Sequence, residues 1–325
     1  MENISIIGAG QVGSRHLQAM ALLDGVAEVQ LVDPSEESLR IARERFYQIY
    51  QGKALKRIAL KCHRSINDLP KSIDVAIVAT CSDVRAGIVK ELVDKKKVKS
   101  LILEKVLFQT VGEYFEIEDL LEKKGIPAWV NCWMREKDFY KKLKIQLNQE
   151  KKIQIRVEGS HWLMGSSSIH FIDLFSFLVE CSDFCFTDCH LDKEIIDSKR
   201  QGFKEFSGKL TGKNSQGHSL VLCRDNGSSP YKIEIVNGYQ KHEIVDCVHY
   251  VEHKFFDGEK QFNENVDIPF QSQTTHRLVE KIINEKSCDL PSYRDSMNLH
   301  LPLVKLFLEH LQKITGDKIE RCPIT

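Results

Sequence analysis

Opposite charges cancel in this chain: 46 lysines and arginines meet 46 aspartates and glutamates, leaving a formal net charge of zero over 325 residues. It therefore lacks the positive field that nucleic-acid and anionic-membrane binders carry, and neither partner is expected. The one dense basic run, Lys95-Lys96-Lys97-Val98-Lys99, falls between a helical pattern and a strand and reads as a solvated turn. Long apolar runs are missing as well. No stretch approaches the ~18–20 residues of a membrane span, and the start, Met-Glu-Asn-Ile-Ser-Ile-Ile-Gly, enters a strand without the basic and apolar regions of a secretory signal. A cytoplasmic location is expected. No C-x-x-C pair occurs among the ten cysteines, which in a reducing compartment are expected as thiols. The nearest approach to a metal motif is Cys181, Cys185, Cys189 and His190. These would need a helix to share one face, and Asp183, Phe184 and Phe186 place the helix end near Glu180, so no metal site is expected. Internal repeats and low-complexity linkers are absent too.

What remains is a chain long enough for two domains, with 42% hydrophobic and 28% charged residues, enough for ordinary cores. Up to about residue 130 short apolar runs (4–7, 29–32, 75–79, 101–103, 128–130) alternate with helical patterns (12–23, 36–47, 85–96, 113–124). That alternation predicts a doubly wound parallel sheet covered on both faces, an α/β Rossmann domain over 1–130. The segment 48–63 fits it poorly and reads as an extra turn or a weak edge strand. From 131 to 325 the pattern becomes α+β with a large, mostly antiparallel sheet. Helices are predicted over 138–147 and 168–179, and strands over 153–158, 206–211, 219–223, 231–236 and 240–245. Hairpin chemistry at 212–217 and 225–227 links them, and two helices, 274–284 and 294–314, close the chain with Pro291 between them.

The strand at 4–7 runs directly into Gly8-Ala9-Gly10-Gln11-Val12-Gly13 and then a helix. In that setting G-x-G-x-x-G is a dinucleotide fingerprint. The first glycine permits the turn, the second the approach of a pyrophosphate, and the third close helix–strand packing, while the helix N-terminus offers free N–H groups. Asp33 ends the second strand 20 residues beyond Gly13. A carboxylate there accepts from a ribose 2′-hydroxyl and repels a 2′-phosphate, so NAD is expected in preference to NADP.

On further strings the sequence resembles the glucose–fructose oxidoreductase / inositol dehydrogenase (Gfo/Idh/MocA) family. His16 completes G-x-G-x-x-G-x-x-H. Leu101-Ile102-Leu103-Glu104-Lys105-Val106 is similar to the family's strand ending in Glu-Lys-Pro. Val130-Asn131-Cys132-Trp133-Met134-Arg135 matches a strand leading to an arginine, and His170-Phe171-Ile172-Asp173 matches H-x-x-D at the head of a helix. The likeness covers residues 1 to about 180. Two positions depart from it: Val106 stands where the family has proline, which predicts a trans bond after Lys105 because cis costs ~3–4 kcal/mol without proline. Ser166 stands where many members have an acid four residues before the histidine.

The resemblance implies an oxidoreductase acting on a sugar, polyol or sugar-nucleotide hydroxyl. Its cofactor-binding set is Gly8, Gly10, Gln11, Val12, Gly13, Asp33, Thr80, Glu104 and Lys105. The catalytic set is Lys105, His170 and Asp173, and Arg135, Trp133 and His170 are the substrate contacts. Chemically, a histidine is suited to exchange the hydroxyl proton and an ammonium at a strand's carboxyl end to hold developing alkoxide charge. Lys105 and Glu104, adjacent on a strand, point to opposite faces and do not make a simple pair. Asp173, three residues on from His170, would orient the imidazole or bind a hydroxyl. The competing reading is a dinucleotide-binding regulator that keeps the fold without the chemistry. A homodimer or homotetramer is expected, on the argument that Ile233, Ile235 and Val245 line an uncovered sheet face.

Overall fold

The computed structural model describes residues 2–50, 57–247 and 250–325. In chain order it begins β1 (Glu2–Ile7), α1 (Gln11–Met20), β2 (Val26–Val32), α2 (Glu36–Ile49), β3 (Arg57–His63) and β4 (Ser72–Ile73). It continues β5 (Val75–Val78), α3 (Ser82–Lys95), β6 (Lys97–Val98), β7 (Leu101–Leu103), α4 (Val111–Lys124), β8 (Ala128–Val130) and α5 (Asp138–Gln146). Then come β9 (Ile153–Gly159), α6 (Met164–Leu178), β10 (Cys185–Leu191), β11 (Ile196–Asp197), β12 (Lys204–Glu205), β13 (Gly208–Lys213) and β14 (Ser219–Arg224). The last elements are β15 (Lys232–Asn237), β16 (Gln240–Asp246), β17 (Tyr250–Asp257), β18 (Lys260–Asp267), α7 (Gln271–Glu285) and α8 (Tyr293–Thr315). Among the described residues no helix is long and apolar enough to cross a membrane.

The chain divides into two compact units. The first comprises Met1–Phe108, Gly112–Asn131 and Phe270–Arg294; the second takes Gln109–Val111, Cys132–Pro269 and Asp295–Thr325. The chain thus leaves the first unit beside the expected cut at 130, but returns to it with α7, a segment the sequence pattern assigned to the second domain. The reason is packing. Leu278, Val279 and Ile282 form one face of α7 and enter the core cluster of Leu17, Met20, Leu31 and Phe46.

The first unit is a six-stranded parallel sheet in the order β3-β2-β1-β5-β7-β8. Its central strands are buried on both faces, Val75 through Val78 at 0% exposure, which is why they read as unbroken apolar runs. The poorly fitting stretch 48–63 resolves into the end of α2 and the edge strand β3; residues 51–56 lie outside the described residues.

The second unit is built on an eight-stranded sheet, β10-β13-β14-β9-β15-β16-β17-β18, antiparallel except where β14 runs parallel to β9. The fold class expected from the sequence is thus the one found. Two expectations within the sheet are corrected. β9 lies between β14 and β15, so the turn at 225–227 is not a hairpin; instead Asp225 accepts from Gly227 N at 2.8 Å and anchors Ser160. Ile233 and Ile235 are buried (1% and 0%) on the same face as Ile153, Ile155 and Val157, whereas Val245 pairs opposite Lys232 on the other face. With a side-chain period of two, residues 233 and 235 and residue 245 cannot share a face in this register. Ile233 and Ile235 thus do not line an uncovered face, contrary to the expectation from the sequence.

Candidate active site

The glycine loop joins β1 to α1. Gly8 has φ +99°, and a Cβ on it would lie 3.0 Å from the backbone of Ala79 and Thr80. A Cβ on Gly13 would lie 1.8 Å from the Gly8 carbonyl oxygen, so helix and strand meet backbone to backbone there. Gly10, exposed at the N-cap of α1, has nothing within 4 Å of its would-be Cβ. No side chain caps this end and no acid stands in the first turn. The N–H groups of the first turn thus have no side-chain cap, and a helix start of this kind suits an anion. Asp33 accepts from Ala9 N at 2.7 Å and from Ser35 N at 2.9 Å, which fixes its carboxylate beside the loop with lone pairs to spare. Thr80 follows β5; its Oγ1 is buried with no hydrogen-bond partner among the described residues. An open glycine cradle, an uncapped helix end and an orphaned hydroxyl suit a dinucleotide, whose phosphates and nicotinamide half these residues would hold.

Glu104 and Lys105 leave the carboxyl end of β7. Lys105 is half-buried and Glu104 only 5% exposed. Glu104 Oε1 accepts from His16 Nε2 at 2.8 Å, from Gln271 Nε2 at 3.2 Å and from the Asn131 amide. Burial pushes the Glu104 carboxyl up, but the hydrogen bond and charge of His16, the Asn131 amide and the Lys105 charge outweigh it and bring it down to about 2. The Lys105–Val106 bond is cis, correcting the expectation of a trans bond. Its surroundings are specific. The buried Arg85 guanidinium donates to the carbonyls of Val106, Leu107 (2.9 Å) and Thr80, and Val106, Leu107 and Phe108 are fully buried. The turn is thus fixed by a cation from α3 rather than by a proline ring.

In the second unit, Trp133, Arg135, His170 and Asp173 come together. Helix α6 begins at Met164, four residues before the expected start, so His170 is its seventh residue and lies in the second turn rather than the first. The early start follows from Glu205 of β12, a buried carboxylate that accepts from Gly165 N at 2.6 Å and Ser166 N at 3.3 Å and so caps the helix from outside its own sequence. The His170 ring packs edge-on against Trp133 with centroids 5.6 Å apart. Asp173 does not orient that ring. Its two oxygens take the Arg135 guanidinium in a fork, at 2.8 Å from Nε and 2.6 Å from Nη2. Burial raises the Asp173 carboxyl to about 6, against the opposing charge and hydrogen bonds of Arg135 and with a small push from Asp295. Lys137, absent from the sequence-based set, is 4% exposed; it donates to Pro269 O and its ammonium sits 5.1 Å above the Trp133 ring. Arg85, Asn131, Gln271, Thr275 and Glu205 were missed too. Their partners lie elsewhere in the sequence; Asn131 stood within a recognised string and Lys137 two residues beyond it, but neither string pointed to these contacts. Cys185, Cys189 and His190 lie on the edge strand β10, lining a groove of about 1040 Å³ with Leu306 and His310 of α8 that contains none of the candidate residues. No grouping of three or more histidines, cysteines or acids suited to a metal occurs among the described residues.

Comparison with known proteins agrees with the fold. Residues 2–132 match the Gfo/Idh/MocA family, described as an oxidoreductase family with an NAD-binding Rossmann fold. Over residues 2–132 the resemblance read from the sequence is borne out. No curated protein sequence matches the chain. Among solved structures, it is similar to a dehydrogenase (MviM) from Clostridium difficile, 17% identical, TM-score 0.66, covering 94% of this chain and 98% of that one. The 3-ketoreductase KijD10 from Actinomadura kijaniata, solved with NADP, is 13% identical, with a TM-score of 0.69 and coverages of 94% and 96%. A super-repressor mutant of Gal80p from Saccharomyces cerevisiae is 14% identical, with a TM-score of 0.68 and 96% of both chains covered. At these identities the likeness is one of fold.

Proposed function

We propose that the protein is an NAD-dependent dehydrogenase or reductase acting on a hydroxyl or carbonyl carbon of a sugar, polyol or sugar nucleotide. The observation that carries this reading is Lys105. An ammonium stands at the carboxyl end of a parallel strand, next to an ionised glutamate, in the unit that holds the open glycine cradle. The likeness of fold to the 3-ketoreductase KijD10 supports the reaction type, hydroxyl–carbonyl interconversion. The nicotinamide supplies the hydride acceptor or donor; everything else falls to side chains. Lys105 stabilises negative charge on the reacting oxygen, and His170 removes or returns the hydroxyl proton. Trp133 offers an apolar ring face to a sugar. Arg135, locked by Asp173, and Lys137 supply fixed donors. Asp33 favours NAD over NADP, and Arg40, the nearest cation in sequence to its partner Ser35, is engaged with Glu37 and Glu44.

The test is reduction of NAD by a panel of sugars, polyols and sugar nucleotides, followed at the nicotinamide absorbance. Lys105→Ala is expected to lower turnover roughly 10²–10³-fold with NAD affinity nearly intact, because its charge acts in the transition state. His170→Ala is expected to act similarly, with partial rescue at high pH. Tight NADH binding with no hydride transfer to any member of the panel would transfer support to the second reading, a dinucleotide-binding regulator. The Gal80p-like fold and Ser166 in place of an acid favour that reading.

A further inference from the structure

Two histidines and a glutamate form a chain across the last three strands of the large sheet. His242 of β16 and His253 of β17 are buried, at 1% and 6% exposure, and share the face that carries Ile244 and Val251. His242 Nδ1 lies 3.1 Å from His253 Nε2, and His253 Nδ1 lies 2.9 Å from Oε1 of Glu264, its register partner on β18. The other nitrogen of the first ring, His242 Nε2, is buried and has no hydrogen-bond partner among the described residues. Apolar groups close the chain in. Ile235 of β15 pairs opposite His242, Phe255 stacks on it with ring centroids 4.6 Å apart, and Phe139 of α5 meets His253 edge-on at 5.1 Å. Lys241, Glu243, Glu252 and Lys254 alternate onto the other face of the sheet, and Tyr140 of α5 feels the charge of Asp246. Among the described residues Glu264 is the one charged group bonded to the pair.

Glu264, its side chain 60% exposed, offers a carboxylate to His253 Nδ1, so that nitrogen carries a hydrogen. One hydrogen, and no more than one, fits between the two nitrogens that face each other. With those two places filled the pair is neutral, and His242 Nε2 is a bare lone pair. Any further proton ends on His242 Nε2, whichever ring then holds the charge, because no other nitrogen is vacant. That place is buried and has no acceptor; burial and the neighbouring His253 push the His242 ring down to about 4. A charged pair with an unbonded N–H is stabilised by water, which reaches His242 only when the strands beside it part. We propose that His242, His253 and Glu264 form an acid-released latch: neutral, they tie β16, β17 and β18 together, and proton uptake at His242 Nε2 frees the end strand. β18 depends on such a tie, since it is an edge strand paired to β17 alone and seven of its eight residues are exposed. Pro269, two residues beyond it, accepts from Lys137, so the strand that the latch holds also carries the anchor of that ammonium.

Long-range ¹H–¹⁵N spectra at about pH 7.5 are expected to show both rings as Nδ1–H tautomers, the His242 signals being assigned by their loss in His242→Asn. A His242 ring with its hydrogen on Nε2 and a bare Nδ1 overturns the proposal. Amide hydrogen exchange across β17 and β18, corrected for the intrinsic effect of pH, reads the latch itself. The ring is held at about 4 in the folded protein and returns to its ordinary 6.5 when opened, so the stability it contributes is present above 6.5 and lost as pH falls toward 4. Protection in the wild type is expected to drop roughly 20-fold between about pH 7.5 and about pH 5. His242→Asn, whose amide still donates to His253 Nε2 but does not titrate, is expected to keep its protection over that range. His242→Phe, which fills the ring's place beside Phe255 without a titratable nitrogen, takes its part if the asparagine variant does not fold. Wild-type protection that holds across the range, or that falls equally in the variant, overturns the latch. Neither measurement depends on the reaction that the protein performs.

Discussion

At the scale of single residues, geometry separates groups that look alike in sequence. Gly10 and Gly13 belong to one string, yet a methyl on Gly10 meets nothing within 4 Å while one on Gly13 would sit 1.8 Å from a carbonyl oxygen. Gly10→Ala should fold normally and weaken NADH binding, its methyl occupying the phosphate cradle. Gly13→Ala should cost about 3 kcal/mol of stability, because backbone rather than a flexible side chain has to move. Urea unfolding of both checks the contrast, and equal stabilities would refute it. Asp173 carries a pH dependence. Burial raises its carboxyl from 3.8 to about 6 in the folded state, so between those values the folded protein holds a proton that the unfolded chain has released. Stability contributed by this group is therefore present below 3.8 and lost as pH rises through about 6. Across pH 5 to 7 the difference in urea midpoint between wild type and Asp173→Asn should move against the wild type as pH rises; movement the other way would show that Arg135 dominates burial. Both residues were visible in the sequence as parts of motifs. That Asp173 serves Arg135 and not His170 was not, because the arginine is 38 positions away.

At the scale of elements, periodicity located α1 to α8 and the central strands of both sheets but not β10, β17 and β18 of the large sheet or the two-residue strands β4, β6, β11 and β12, and the boundaries moved where distant groups intervened. Helix α6 is the clearest case. Its N-cap residue, Leu163, has no side chain able to cap, so local signals put the start at Ser168. The structure starts it at Met164 because Glu205 supplies the missing acceptor. Glu205→Ala should therefore cost about 1–2 kcal/mol, the worth of a helix cap with a charged acceptor, and should loosen the turn that leads to His170. Urea unfolding, together with amide exchange at Gly165 and Ser166, measures this; unchanged protection of both amides would refute it. Helix α7 makes the same point for domain assignment. Its position after the antiparallel strands assigned it to the second domain, whereas its apolar face joins the core of the first unit and its first two turns deliver Gln271 and Thr275 to His16.

At the scale of the whole molecule, cofactor binding should appear as stability, since a ligand that binds only the folded state adds about 2.7 kcal/mol at a hundred times its dissociation constant. NADH is expected to raise the melting temperature more than NADPH at equal concentration, and Asp33→Ala to narrow the difference. A larger shift with NADPH would contradict the role given to Asp33.

By itself the sequence determined what depends on neighbours along the chain. It specified the parallel sheet from its unbroken apolar runs, the glycine turn from spacing, the antiparallel sheet from alternation, and Lys105 from its place at a strand end. Tertiary structure alone decided what depends on closing long loops. It set the strand order that puts β9 between β14 and β15, the cis bond at Lys105–Val106 beside Arg85, and the return of α7 to the first unit. It also built the buried set of His16, Glu104, Asn131 and Gln271, drawn from positions up to 255 residues apart. Apolar periodicity records which face of an element is buried, but not which partner buries it. Hydrogen bonds between residues hundreds of positions apart leave no periodic trace at all.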